Sequence, residues 1–222
     1  MRMLAVFTKG ERLRHIGHLD LMRAMQRALR RSGLPVAYSK GFNPHILLTF
    51  ASALATGSWG KREIMDVTLE EPVTPEEFVQ AMRSALPEDL SVLSVRVIDD
   101  RHPALMAMTA AATYTLTVAP EALEKLSACG DAFLAQKEII TPRKTKSGVK
   151  NCDIRPLLYD LSWTTEGIRA TMCLEEGNAC KPDMLMTAWS AFAGMEVPRS
   201  LVCREALLGR NEAGELVPLE TL

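Results

Sequence analysis

Three of the four histidines, His15, His18 and His45, lie within the first 45 residues, around a stretch rich in arginine. Imidazole titrates near neutral pH, so His18, aided by His45 or Lys40, has the chemistry of a general acid–base on a ribose 2′-hydroxyl. His18, Asp20 and His45 also make a donor set compatible with zinc or iron, although His-x-Asp spacing carries little specificity. Capping a helix or bonding a loop carbonyl is the more ordinary use of such histidines. Cysteine offers less. Cys129, Cys152, Cys173, Cys180 and Cys203 are scattered, with no Cys-x-x-Cys pair, and read as reduced, buried or half-buried thiols. The chain lacks the P-loop, GxGxxG, GxSxG and HExxH patterns. No cofactor and no metal is expected.

Anion recognition is the chemistry the charged residues favour. Arg23, Arg27, Arg30 and Arg31 fall at i, i+4, i+7 and i+8, one side of a helix. Four arginines without a lysine suit bidentate phosphate contacts, although a solvated helix face is the plain alternative and Asp20 is placed to pair with Arg23. Next comes Tyr38-Ser39-Lys40-Gly41-Phe42-Asn43-Pro44-His45, a tight loop with Lys40 beside Phe42, the pairing of charge and stacking surface that single-stranded nucleic acid uses. Its aromatic rings would otherwise pack on the core. A third basic segment, Arg143–Pro156, presents Lys144, Lys146, Lys150 and Arg155 around a Ser147-Gly148 hairpin tip. Such a tip either contacts an anion or keeps an edge strand soluble.

These groups sit on an uneven charge distribution. The formal net charge of the 222 residues is -1, yet residues 1–62 hold eleven bases against two acids. Either a positive face meets an anionic partner, or the basic and acidic parts neutralise each other. Hydrophobic content of 47% and charged content of 24% describe an ordinary globular chain. No apolar run approaches the ~18 residues of a membrane span, and the N-terminus lacks a signal-peptide core, so a cytoplasmic location is expected.

The elements that must position these residues follow from periodicity. Residues 1–8 alternate as a strand. Leu19, Met22, Met25 and Leu29 give a helix face that Gly33 and Pro35 terminate. Strands are predicted at 47–51, 62–70 and 90–98, with a helix from the Thr74-Pro75-Glu76-Glu77 capping box to about Ala85. That order, β-α-β-β-α-β, is the ferredoxin-like split unit. It repeats as strand 114–118, helix 120–134, strands 137–141 and 168–174, helix 182–192 and strand 201–206, with a hairpin segment at 157–163. The expected fold is α+β, two tandem ferredoxin-like halves: 1–104 with the basic helix and the GFNPH loop, and 105–222 with the basic hairpin.

The runs Phe7-Thr8-Lys9-Gly10, Gly17-His18-Leu19-Asp20-Leu21-Met22-Arg23, Arg27–Pro35 and Tyr38–His45 carry a family resemblance, as do the later Lys146-Ser147-Gly148, Asp153-Ile154-Arg155-Pro156 and Arg204. Together they resemble the radical-SAM-linked family, a bacterial domain of unknown function found beside or fused to B12-binding radical SAM proteins. Gly17 and Ile46 depart from the family pattern, which often has Ser and Pro there. The resemblance implies a subunit working with a separate radical SAM enzyme. The absence of CxxxCxxC fits, since the cluster would belong to the partner. The leading expectation is an RNA-binding accessory without catalysis of its own, probing RNA through Arg23, Arg27, Arg30, Arg31, Lys40, Phe42, Lys144, Lys146, Lys150 and Arg155. The alternatives are a metal-independent RNA-processing enzyme using His18 and His45, and a protein–protein adaptor for the radical SAM partner.

Overall fold

The computed structural model describes residues 1–145 and 148–222, the side chains of Lys144 and Thr145 excepted. The chain divides into two compact units, residues 1–109 with 204–222, and residues 110–203. The last nineteen residues thus belong with the first unit. Side chains hold them there: Arg62 pairs with Glu220, and the Arg96 guanidinium donates to the Glu220 carbonyl at 3.0 Å and to that of Leu222.

In the first unit, β1 (Arg2–Lys9) leads to α1 (His18–Arg31), then β2 (Leu48–Phe50) and β3 (Ser58–Thr68), then α2 (Pro75–Ala85) and β4 (Leu90–Ile98). β1 is central, antiparallel to both β3 and β4, and β2 is antiparallel to β3 on its other side. A single turn, α3 (Leu105–Met108), follows β4. The unit's C-terminal residues supply most of β10 (Leu201–Arg210), beside β3, and β11 (Leu216–Pro218), paired to β10. Met3, Ala5, Phe7, Met65 and Val67 face Leu21, Met25 and Leu29 of α1 and Phe78 and Met82 of α2 in one core. Leu4, Val6 and Ile64, on the opposite sheet face, are buried as well. β1 is therefore a continuous buried run rather than a half-exposed alternation, because both of its faces are covered.

The capping box at α2 forms as its residues demand: the Glu77 N–H donates to Thr74 Oγ1 at 3.2 Å, and the Thr74 N–H donates to the Glu77 carboxylate at 2.9 Å. The buried stripe of α1 is Leu21, Met25, Ala28 and Leu29, not the one expected from Leu19: Leu19 is exposed and Met22 half-buried.

The second unit runs β5 (Ala111–Thr117), α4 (Pro120–Ala128), α5 (Gly130–Leu134), a two-stranded ribbon β6 (Ile140–Thr145) and β7 (Gly148–Asp153), then β8 (Leu158–Thr164), β9 (Gly167–Cys173) and α6 (Pro182–Phe192). β9 lies between β5 and β8, antiparallel to both. The single helix expected over 120–134 is two. Cys129 leaves helical geometry (φ -112°, ψ 5°), and a Cβ at Gly130 would lie 2.3 Å from the Trp163 ring, so the chain turns where an indole closes on its backbone. Trp163 in turn tilts against Trp189, which stacks on Phe133 at 5.4 Å. The architecture is α+β with largely antiparallel strands. No helix among the described residues is long and apolar enough to cross a membrane.

Candidate nucleic-acid interface

The basic side of α1 is set by helix arithmetic. Arg23, Arg27, Arg30 and Arg31 each follow a core residue of the stripe Leu21, Met25, Ala28 and Leu29 by two positions. At about 100° per residue, two positions place them nearly opposite the core, on the outermost line of the helix. They do not act as one set, however. Arg23 donates to Asp20 at 3.0 Å, and Arg31 donates to the Ala85 carbonyl at 2.7 Å, at the C-terminal end of α2.

The same winnowing applies to the other bases of residues 1–62. Arg2 pairs with Asp66, Arg12 with Glu88 and Asp89, Arg14 with Glu11, Lys61 with Glu205 and Arg62 with Glu220. Much of the positive excess is thus neutralised inside the first unit. Arg27, Arg30 and Lys40 are exposed and have no ion pair or side-chain hydrogen bond among the described residues.

Lys40 lies on the loop between α1 and β2, which its own residues brace. Tyr38 and Ile46 form an antiparallel bridge, and the Ser39 N–H donates to the His45 carbonyl at 2.8 Å. Ser39 Oγ accepts from the His45 N–H at 3.1 Å and lies 2.8 Å from His45 Nδ1. Gly41, at φ 140°, takes a backbone shape that side chains disfavour, and Phe42 beside it stands wholly exposed. Phe42 is therefore not a core residue. His45 sits at the base of the loop as its brace.

His18 is the first residue of α1, and its ring meets the Phe50 ring edge-on at 5.6 Å, with Nδ1 buried and without a hydrogen-bond partner among the described residues. His45 precedes β2 and Phe50 ends it, so the two imidazoles stand at opposite ends of that strand and share no contact. Asp20 is engaged by Arg23. Among the described residues no group of three or more His, Cys, Asp or Glu is gathered as a metal site.

The first unit also holds a buried charge cluster; in the sequence Lys9 and Arg204 appear only as parts of the family resemblance, and Glu63 is not singled out. Lys9, Glu63 and Arg204 are 1%, 3% and 1% exposed. Arg204 holds Glu63 through Nε at 2.8 Å and a terminal nitrogen at 2.5 Å, and also donates to Ser52 Oγ and to the carbonyls of Ser52 and Ala53. Lys9 Nζ donates to the carbonyls of Ile16 at 2.8 Å, Ser58 at 3.0 Å and Arg14 at 3.4 Å, which ties down the segment leading into α1. Burial pushes the Lys9 ammonium below the usual lysine range; Glu63 opposes that shift and Arg204 adds to it. A register irregularity between Phe7 and Lys9 sets Lys9 opposite Gly60, and a Cβ there would lie 2.3 Å from Glu63 Oε1, so glycine makes room for the carboxylate. No local pattern marks these charges: Glu63 follows Lys61-Arg62 and Arg204 precedes Glu205, so each reads as one of a run of charges.

In the second unit the β6–β7 ribbon carries the other basic residues. Lys150 is exposed directly across from Arg143, whose guanidinium donates to the Gly177 carbonyl at 2.8 Å. Arg155 donates from Nε to the Leu134 carbonyl at 3.1 Å, at the end of α5. Lys146 lies outside the described residues, and Lys144 is placed by its backbone alone, opposite Val149. The cysteines are free thiols, Cys173, Cys180 and Cys203 buried, Cys129 and Cys152 half-buried. Burial pushes the Cys180 thiol up to about 12, with smaller contributions from Cys152, Asp183 and Cys173.

No curated protein matches the chain. A family model does: DUF2344, described as an uncharacterized protein conserved in bacteria, matches residues 2–182. That span takes in β1, α1, the braced loop, both strands of the basic ribbon and the start of α6, and the chain belongs to this bacterial family.

Proposed function

We propose that this chain is a cytoplasmic, RNA-binding accessory subunit that works with a separate B12-binding radical SAM enzyme in RNA modification. The observation that carries the RNA part is Phe42: a phenylalanine held wholly in solvent on a braced loop, two residues from an unpaired Lys40. Exposing an aromatic ring in this way forgoes its burial energy, and stacking on an unpaired base recovers it. Arg27 and Arg30, opposite the α1 core, supply two further phosphate contacts. The radical SAM partner is supported by the resemblance of Phe7–Gly10, Gly17–Arg23 and Tyr38–His45 to the radical-SAM-linked family.

We read the architecture as two ferredoxin-like halves. In the first, the strand neighbours β4-β1-β3-β2 are those of the split βαβ unit. In the second, β5, β9 and β8 occupy its first, third and second strand positions, with β6–β7 inserted after the first helical segment.

Fluorescence anisotropy with short single-stranded RNA tests the function. Phe42→Ala is expected to weaken binding by about 1–3 kcal/mol, roughly 5- to 150-fold. Replacing Arg27, Arg30 and Lys40 together by Ala should reduce the slope of log K against log salt by about 2, at ~0.7 per phosphate. Binding that is absent, or indifferent to salt and to Phe42, overturns the reading. Capture of the radical SAM protein that survives RNase, with no RNA bound, would assign the basic surface to protein docking instead.

A further inference from the structure

β4 is the outermost strand of the first unit's sheet, paired on one side only, to β1. Backbone parity decides which of its groups that leaves over. The Met1 amino group donates to the Leu69 carbonyl at 3.1 Å, and the Leu69 N–H donates to the Met1 carbonyl at 2.8 Å, so Met1 faces β3. Alternation then turns Met3 and Ala5 towards β3, and Arg2, Leu4 and Val6 towards β4. The partners of those three are Ile98, Arg96 and Ser94. The N–H and C=O groups of Val95 and Val97 therefore point away from the sheet, and among the described residues no strand meets them.

An open edge is usually blunted by shortness, proline or charge. β4 has nine residues, Leu-Ser-Val-Leu-Ser-Val-Arg-Val-Ile, about 30 Å of strand at ~3.4 Å each, and no proline. Its one charged residue, Arg96, is drawn aside: the guanidinium donates to the Glu220 carbonyl at 3.0 Å and to that of Leu222. One irregularity remains. The register against β1 shifts between Val6 and Phe7, which leaves Leu93 without a β1 partner. Leu93 and Val97 are 46% and 48% exposed, two apolar side chains placed symmetrically about Val95 and, by alternation, on the same face as it.

We infer that β4 is a dimerisation edge, occupied by the β4 of a second copy running antiparallel and centred on Val95. The spacing carries the choice of occupant. A two-fold axis at Val95 sets each residue opposite the one equally far on the other side. Leu93 then faces Val97 of the partner subunit, and Val97 faces Leu93 of the partner subunit, so the exposed apolar side chains cover one another twice. Ser94 comes opposite Arg96 of the partner subunit, and no two like charges meet. The outward N–H and C=O of Val95 exchange bonds with Val95 of the partner subunit. A strand from another protein would have to bring that apolar spacing and an uncharged centre; this chain supplies both itself. β2 lies beyond β3, on the far side from β4, so the pairing leaves the Tyr38–His45 loop open. The inference goes beyond the RNA reading and stands without it.

Sedimentation velocity of the full chain from ~1 to ~200 µM tests this, because a single strand pair belongs among the small, reversible interfaces. The expected result is a monomer–dimer equilibrium within that range. Val95→Pro removes an N–H that the parity above directs away from β1, a change that edge strands tolerate, and should weaken the dimer roughly tenfold through two lost hydrogen bonds. Leu93→Lys and Val97→Glu, both at exposed positions, should each weaken it by roughly the same factor through two lost cross-strand pairs. Combined in one chain they should recover most of the loss, because the introduced lysine and glutamate meet across the axis. A chain that stays monomeric throughout overturns the inference and leaves the edge to a strand of another protein. A dimer indifferent to Leu93→Lys and Val95→Pro overturns it by placing the contact elsewhere, and a double variant no better than the single ones overturns the register centred on Val95.

Discussion

Glu63→Gln is the most searching perturbation of the fold. The replacement keeps the shape and one acceptor oxygen but removes the negative charge that Arg204 grips through two nitrogens, with the two side chains only 4% and 2% exposed. Removing one partner of a buried ion pair leaves the other charge uncompensated, at about 3–5 kcal/mol. Arg204 keeps its bonds to Ser52 and Ala53, which argues for the lower end, about 3 kcal/mol. Lys9 works in the other direction, because it too loses the one nearby negative charge that favours its ammonium. At ~2–4 °C per kcal/mol for a protein of this size, the melting temperature of the first unit should fall on the order of 10 °C. The assay is amide exchange of β1 and β3 in increasing urea, which reports on that unit alone. Combining Glu63→Gln with Arg204→Met should cost less than the two single changes added together, by at least ~2 kcal/mol, since each mutation removes the charge the other strands. Single effects below ~1 kcal/mol, or strict additivity, would refute the claim that this pair is a buried, mutually dependent unit.

Three further outcomes are expected. Lys9 has its folded pKa depressed by burial, so its ammonium disfavours folding at lower pH, and that penalty fades as pH rises from the folded value towards the ordinary lysine value of 10.5. Stability measured from pH 8 upward should therefore carry a rising component that Lys9→Met lacks; identical pH profiles would count against it. Thr74→Ala should destabilise α2 by about 1 kcal/mol through loss of the cap. The Thr74 backbone N–H, and after it the hydroxyl, hold the Glu77 carboxyl below its usual range; the variant loses only the hydroxyl's share, present above about pH 4.5 and lost as acid protonates Glu77, so the gap in urea midpoint between wild type and variant should narrow below that pH without closing. Gly130→Ala forces a Cβ against the Trp163 ring and should cost about 1–3 kcal/mol in the second unit, read as a change in tryptophan fluorescence on unfolding.

Local order was legible because it is written in near neighbours. The Thr74-Pro75-Glu76-Glu77 cap needs only four residues, and the arginine line of α1 needs only the helical period. The misjudged face of α1 shows the limit of that method. Leu19 and Leu21 are both leucines, and only the sheet beneath decides that Leu21 points inward. The break at Cys129 is similar, since the indole that shapes it comes from Trp163. Charge was the least legible property. Eleven bases in 62 residues read as one positive surface, but their partners Glu88, Glu205 and Glu220 are supplied from far along the chain.

What the sequence determined by itself, then, is most of the succession of strands and helices, the capping of α2 and the outward line of arginines, because each depends on contacts within a few positions. Tertiary structure alone decided that Lys9, Glu63 and Arg204 are interior, with the ion-paired Glu63 and Arg204 141 positions apart, and that Arg27, Arg30 and Lys40 stay unpaired among the described residues. Burial and pairing depend on which distant segments pack together, and no local pattern encodes that choice.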